Sequence, residues 1–352
     1  MSSSIAAFAE KVSPCLRLGG SDGDVVLSTR VRLARNLQGC PFPGRAGADE
    51  LQETFAAVAR AAKVAMDEEL GLEKSISDMS MADRNFLVER RLISSDLASR
   101  GAGSGVLSGL DEQLVVMINE EDHLRCHSVY PGCDIEKPLR AVTGVVNEIE
   151  SELPVAFSKE LGYLTACPTN LGTGLRISIM MHLPALVFCG QEEKIFRAAG
   201  QLGLAVRGLF GEGTNPTGNL YQLSNQSTLG EDEATISSRL ERISSQLVRA
   251  ERSARNSLLR ASSMEFTDYI ARAYATLKYA RVITAEEALD KLFALRLGLL
   301  IGMFDNRDLS PVHDLIQLVM PEHLQLHLHK DLKDTDRDIE RAVLIRRKIT
   351  YI

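Results

Sequence analysis

In the segment LRISIMMHL the odd positions Leu175, Ile177, Ile179, Met181 and Leu183 are all apolar, whereas Arg176, Ser178 and His182 stand in the even register. A period of two is that of an extended strand, with successive side chains on opposite faces. One face of this strand therefore meets a core and the other carries an arginine. STRVRLAR repeats the pattern, since Arg30 and Arg32 are two residues apart and share a face. Other strand-like runs are VVLSTRVRLA, EQLVVMIN, LRCHSVY, LGYLTAC, LAVRGLF and LYQLSNQ. Several follow one another with no helix between them, which favours an antiparallel sheet with helices packed against it. One such helix is expected in 134–153, where Leu139, Val142, Val146, Ile149 and Leu153 recur at helical spacing. From about Val25 to Gln226 the pattern is that of an α+β domain.

From about Gly230 the texture changes. EDEATISSRLERISSQLVRAERSARNSLLR is charged and helical, and helix-like blocks follow at 264–280, 284–303, 311–329 and 330–349. Residues 1–254 are expected to form the α+β domain and 255–352 a helical one. RGAGSGVLSG, at 100–109, reads as a glycine-rich surface loop or lid.

The chain has 352 residues and a formal net charge of −7, so net charge makes no case for a nucleic-acid partner. Its six cysteines are scattered without a CxxC pair, as expected of a reducing, cytoplasmic compartment. The first residues, MSSSIAAFAEKVSP, lack the basic and apolar regions of a signal peptide. No apolar stretch is long enough to span a bilayer, the candidate near LRLGLLIGMF being too short.

Chemistry concentrates where strands meet loops. Arg30, Arg32, Arg125, Arg176 and Arg207 all fall at polar strand positions or strand ends. Guanidinium forks on one sheet face suit phosphate oxygens, although a solvated face with scattered carboxylate partners would use the same residues. Neither GxxxxGK[ST] nor a GxGxxG after a strand occurs, so a nucleotide would be held without a glycine cradle. NEED, at 119–122, gathers three acids at a strand end, and GEG isolates Glu212 between Gly211 and Gly213. Either could be a solvated turn; a metal site lacks suitable neighbouring ligands. The histidines of HLQLHLH, at 323–329, could bind zinc or could simply mark an amphipathic helix. Cys167 opens CPTNLGTGLR near arginines, a setting for either a reactive thiolate or an inert small residue.

STRVRLAR, NEEDHLR, CPTNLGTGLR and RGLFGEG, in this order along the chain, resemble the motifs of the guanidino phosphotransferase (phosphagen kinase) family. Creatine and arginine kinases of that family carry a helical domain ahead of STRVR; here 27 residues precede Ser28 and the extension is C-terminal. This arrangement, with LGYLTACPTN, GNLYQLSNQ, MPEHLQ and RDIERAVLIRR, is similar to the bacterial protein-arginine kinases, the McsB proteins. The resemblance implies transfer of the ATP γ-phosphoryl group, with Mg²⁺, to arginine side chains of proteins. It implies catalytic roles for Glu121 as base, Glu212 in orienting the acceptor and Cys167 as a thiolate beside it. It places the nucleotide on Ser28, Thr29, Arg30, Val31 and Arg32, on Arg125, and on Arg176, Ile177, Ser178, Ile179 and Met180. The remaining nucleotide contacts it implies are Arg207, Gly208, Leu209, Phe210, Gly211 and Glu212. Where the family often has a histidine in HLIS, this chain has Arg91, which takes that place as a nucleotide contact. RDxxRA, here Arg337, Asp338 and Arg341, corresponds to a phosphoarginine pocket; a structural salt bridge between Asp338 and Arg341 is the alternative. The implied partners are proteins with exposed arginines, an McsA-like activator and a ClpC-type protease, with no nucleic acid or membrane, and a homodimer is expected. A phosphoarginine-binding regulator of weak activity and a free-arginine kinase are the competing functions.

Overall fold

The computed structural model describes residues 5, 7–66, 70–208 and 216–349. Among the described residues, ten strands form: β1 Val26–Arg35, β2 Leu70–Ser75, β3 Gly105–Gly109, β4 Leu114–Ile118, β5 Leu124–Pro131, β6 Phe157–Ser158, β7 Gly162–Tyr163, β8 Leu175–His182, β9 Leu204–Gly208 and β10 Leu220–Asn225. Eight of them make one sheet in the order β2-β3-β4-β5-β1-β8-β10-β9. All its pairings are antiparallel. β6 and β7 form a separate hairpin. The helices are α1 Ala48–Met66, α2 Met81–Glu89, α3 Ser95–Ala98, α4 Glu136–Glu152, α5 Pro184–Phe188, α6 Glu192–Gln201, α7 Glu233–Arg260, α8 Met264–Tyr279, α9 Ala285–Leu300, α10 Ser310–Leu318, α11 Pro321–Leu328 and α12 Asp334–Ile349. The fold is α+β.

The alternation works as expected. Val31, Leu33, Leu124, Cys126, Leu175, Ile177 and Ile179 point to one face of the sheet. There they pack with Val58 of α1, Val142 and Val146 of α4, and Ile236 and Leu240 of α7. The opposite face is covered at two places. Val106, Val115 and Met117 meet Phe86 of α2 and Leu97 of α3. Leu27, Val129, Met180 and Leu220 share a core with Leu289 and Phe293 of α9, Ile316 of α10 and Ile345 of α12. Between these covered zones lies the arginine-bearing strip.

Two expectations need correction. Residues 105–109, read as part of a loop, form β3, and all five are buried. A side chain at Gly105 would put a Cβ 2.4 Å from the Phe55 ring and 2.6 Å from the Lys74 carbonyl oxygen. That glycine serves close packing rather than mobility. The block 311–329 is two helices, because Pro321 begins a new one after the extended Met320.

The helical region is tied to the sheet by Arg296, which is fully buried. It donates to the carbonyls of Gly23 (2.6 Å) and Asp24 (3.1 Å), to His182 Nδ1 (3.1 Å) and to His313 Nε2 (3.0 Å).

Candidate active site

The strip is built by register. Arg32 on β1 stands between His127 on β5 and Arg176 on β8, and Arg30 between Val129 and Ser178. Arg207 pairs with Gln222, which in turn pairs with Met180, extending the strip to the β9 edge. These cations crowd one another with little acid among them. Burial, then Arg91, Arg125 and Arg176, lower Arg30 to about 10. Burial and the charges of Arg30, Arg125 and Arg176 hold Arg32 far below the usual guanidinium range. Arg176 is lowered by burial, Arg207 and Arg125. The Nε atoms of Arg32 and Arg176 are buried and have no hydrogen-bond partner. Repelling cations with unused donors in a concave site are what a polyphosphate anion would satisfy.

Arg91 follows α2 in a left-handed conformation, φ 63°. It lines one cavity with Ser28, Arg30, His127, Val129 and Met180, and burial lowers its guanidinium. Thr29, Val31, Ile177 and Ile179 lie in the alternate register, so within STRVR and RISIM only alternate side chains face the strip. Leu209, Phe210, Gly211 and Glu212 lie outside the described residues, and Gly208 ends β9 beside Pro216.

The acidic turn separates its three carboxylates. Glu120 is buried and paired with Arg125 and Ser94. Asp122 is fully buried and accepts from Asn36 Nδ2 (2.6 Å) and the Ala166 N–H (2.7 Å). Only Glu121 is open, with its side chain 43% exposed and Oε2 3.4 Å from Arg125 Nη2. Its carboxyl is pushed up by burial; Arg125 opposes this, and Asp122, Glu120 and Asp96 add to it. Sequence alone left the three acids equivalent. The Asn36–Asp122 pair, which the sequence analysis missed, anchors the residue next to Cys167.

Cys167 is half-buried and opens the short helical turn Pro168–Asn170. Its Sγ lies 3.0 Å from Thr169 Oγ1, and its carbonyl accepts from Thr165 Oγ1 (2.8 Å) and the Asn170 N–H (3.0 Å). It is near enough to Arg176 to favour that residue's charged form. Gly174, at φ 68°, ends the loop where a Cβ would sit 2.6 Å from the Ala34 carbonyl oxygen, so the loop closes tightly on β1. Thus Cys167, Glu121, Arg125, Arg176 and Arg32 converge at one end of the strip.

The C-terminal motif lies elsewhere, on α12. Arg341 is 2% exposed; it donates to the carbonyls of Val319 (2.7 Å) and Ile283 (2.9 Å) and pairs with Asp338. Arg337 is paired with the exposed Asp334. Among the described residues no group of three or more His, Cys, Asp or Glu side chains could hold a metal ion. His323 instead stacks on Phe86, with centroids 4.5 Å apart, and its Nδ1 bonds Glu89 at 2.8 Å. No described helix is long and apolar enough to cross a membrane.

Two family descriptions match the chain: ATP:guanido phosphotransferase, C-terminal catalytic domain, over residues 53–254, and protein-arginine kinase McsB C-terminal domain, over 263–352. The protein-arginine kinase of Halothermothrix orenii is 42% identical over 330 residues, 94% of each chain. That of Shouchella clausii is 41% identical over 340 residues, 96% of this chain and 95% of its own. Among solved structures, the duplicated taurocyamine kinase of Schistosoma mansoni with bound transition-state-analogue components superposes at TM-score 0.58 and 27% identity. That match covers 68% of this chain and 35% of the duplicated enzyme. Lombricine kinase shares the fold at TM-score 0.58 and 23% identity, over 73% of this chain and 71% of its own. The cationic strip, the open glutamate and the anchored cysteine are thus found in a chain that belongs to the protein-arginine kinase family of ATP:guanido phosphotransferases.

Proposed function

We propose that the protein transfers the γ-phosphoryl group of ATP to the guanidinium of arginine side chains in other proteins. The convergence of Cys167 and Glu121 at the end of the arginine strip is the observation that carries this reading. A guanidinium is cationic at neutral pH and its lone pairs are delocalised, so it is a poor nucleophile. Glu121 pairs with it, holds it in line and accepts the proton lost when the new N–P bond forms and the bond from Pγ to the bridging oxygen breaks. ADP leaves against Arg30, Arg32, Arg125, Arg176 and Arg207. Phosphoryl transfer concentrates charge on oxygens, so positioned cations supply most of the stabilisation, and one arginine is worth about 10³–10⁵ in rate in related chemistry. Cys167, as a thiolate, offsets the acceptor's charge without forming a covalent bond. Glu212 orients the acceptor guanidinium, and the other residues of RGLFGEG serve the nucleotide. Mg²⁺ enters with the nucleotide, because the strip supplies cations rather than metal ligands.

Residues 1–254 form the catalytic part and 255–352 the part that reads phosphoarginine through Arg337, Asp338 and Arg341. Cytoplasmic location, a homodimer, an McsA-like activator and a ClpC-type protease that degrades the marked proteins complete the reading. The two-part family match and the protein-arginine kinases named above support it over a free-arginine kinase.

The test is incubation with ATP, Mg²⁺ and a loosely folded protein, followed by mass spectrometry. Acid-labile phosphate on arginine is expected, and Cys167→Ala should remove most of it while ADP still binds. Acid-stable label, or none, would overturn the proposal.

A further inference from the structure

His127 occupies a position that the motifs do not mark. It is 2% exposed, and neither ring nitrogen has a hydrogen-bond partner. A buried imidazole with both nitrogens unused costs stability, because each polar atom has lost water without a replacement. Such a group in a cavity wall points to a ligand. The ring lines the cavity that Arg30, Arg91, Ser178 and Gln222 also line.

The place of the ring along β5 says which part of a ligand it meets. Arg125, His127 and Val129 share one face of that strand, as their pairing with Ala34, Arg32 and Arg30 shows. Same-face neighbours on a strand are about 6.6 Å apart. Arg125 stands at the acceptor end, bonded to Glu120 and Glu121. Val129 stands at the apolar end, in the core with Cys15, Leu27 and Met180. A nucleotide lying along this face puts its terminal phosphate near Arg125 and its nucleoside near Val129. The piece between them is the α-phosphate.

We infer that His127 is a nucleotide-positioning residue whose ring N–H donates to the α-phosphate. The inference rests on the kinase reading above. The ring is neutral in the free protein, since burial and then Arg30, Arg32 and Arg125 hold it well below the usual imidazole range. A neutral imidazole presents one N–H and one acceptor, enough for a single directed bond without adding another charge to the strip. It therefore fixes where the chain of phosphates turns towards the nucleoside, while the arginines supply the attraction.

Calorimetry of Mg·ADP and of adenosine binding, with His127→Phe and His127→Gln beside the natural protein, tests this. His127→Phe keeps the ring and loses both nitrogens; ADP affinity should fall about 10-fold, a charge-assisted hydrogen bond's worth. His127→Gln keeps an N–H donor and should recover to within about 3-fold. Adenosine affinity should be the same in all three. Thermal melts without nucleotide identify a variant that fails to fold, in which case His127→Gln against His127→Leu decides in the same way. Equal ADP affinity across the variants, or an equal loss for adenosine, overturns the inference while leaving the kinase reading intact. If the natural protein binds no ADP, both fall together.

Discussion

At the scale of single residues, the acidic turn shows how one fold gives neighbouring carboxylates different work. Glu120 is spent on Arg125 and Ser94, and Asp122 on Asn36 and the Ala166 N–H. Of the three, Glu121 is the one open to an incoming guanidinium. Its raised carboxyl pKa suits a base, because a stronger base takes a proton more readily provided it is ionised at the working pH. Activity needs the deprotonated form, so it should fall as pH drops through a value above the ordinary glutamate range. Glu121→Gln should lower kcat by about 10²–10⁴ and abolish that acidic limb, with ADP affinity kept. A pH–rate profile of both proteins checks this; an unchanged limb in the variant would assign the base elsewhere. Glu120→Gln should behave differently, loosening Arg125 and so weakening nucleotide binding.

At the scale of elements, period-two alternation was legible wherever a strand has one core face, as in β1 and β8. It failed for β3, where GVLSG is buried throughout and its glycines imitate a loop. β2 passed unnoticed because LGLEKS offers few apolar positions and pairs at the sheet edge. The grouping of arginines on one face could be read from spacing; the orphaned imbalance around His127 could not, because it depends on what three strands bring together. Helix α12 draws a similar line. Arg337 and Arg341 are four apart and so share a helix side, yet their surroundings differ. Arg341 is a buried strut between Val319 and Ile283, whereas Arg337 is paired with the exposed Asp334. Arg337→Ala should weaken phosphoarginine binding at least 10-fold with an unchanged melting temperature. Arg341→Ala should cost about 3–5 kcal/mol of stability as well, since it strands buried acceptors and the partner carboxylate. Calorimetry with phosphoarginine and denaturant melts separate the two, and binding unaltered in Arg337→Ala would leave the motif a purely structural one.

At the scale of the whole molecule, the sheet and the C-terminal helices are joined through a buried cation that bonds carbonyls and histidine rings. Burial and Arg255 lower Arg296 to about 9, against the pull of Asp24, so it remains charged at neutral pH. Its bonds to His182 and His313 require both rings to accept, and His313 meets the requirement by giving its Nδ1 proton to the Leu16 carbonyl at 2.6 Å. Protonating either ring would set a second cation against the first. Accordingly burial, then Arg296, lower His313 to about 4, although the Leu16 carbonyl favours the charged form. His182 is held well below its usual range by burial, Arg296, Arg255 and His313. The sign follows from linkage. A histidine near 6.5 in the unfolded chain and about 4 in the fold binds its proton first when unfolded, so its contribution is complete above about pH 6.5 and is lost as pH falls towards 4. For His313 alone the loss across that window is about 3 kcal/mol. His313→Gln has an amide oxygen to accept from Arg296 and an N–H for Leu16, but no titration. Urea unfolding between pH 4.5 and 6 should therefore show the natural protein losing up to about 1.4 kcal/mol per pH unit more than the variant. Equal slopes would mean that the joint tolerates a second charge, and that acid opens the molecule somewhere other than between its sheet and its helices.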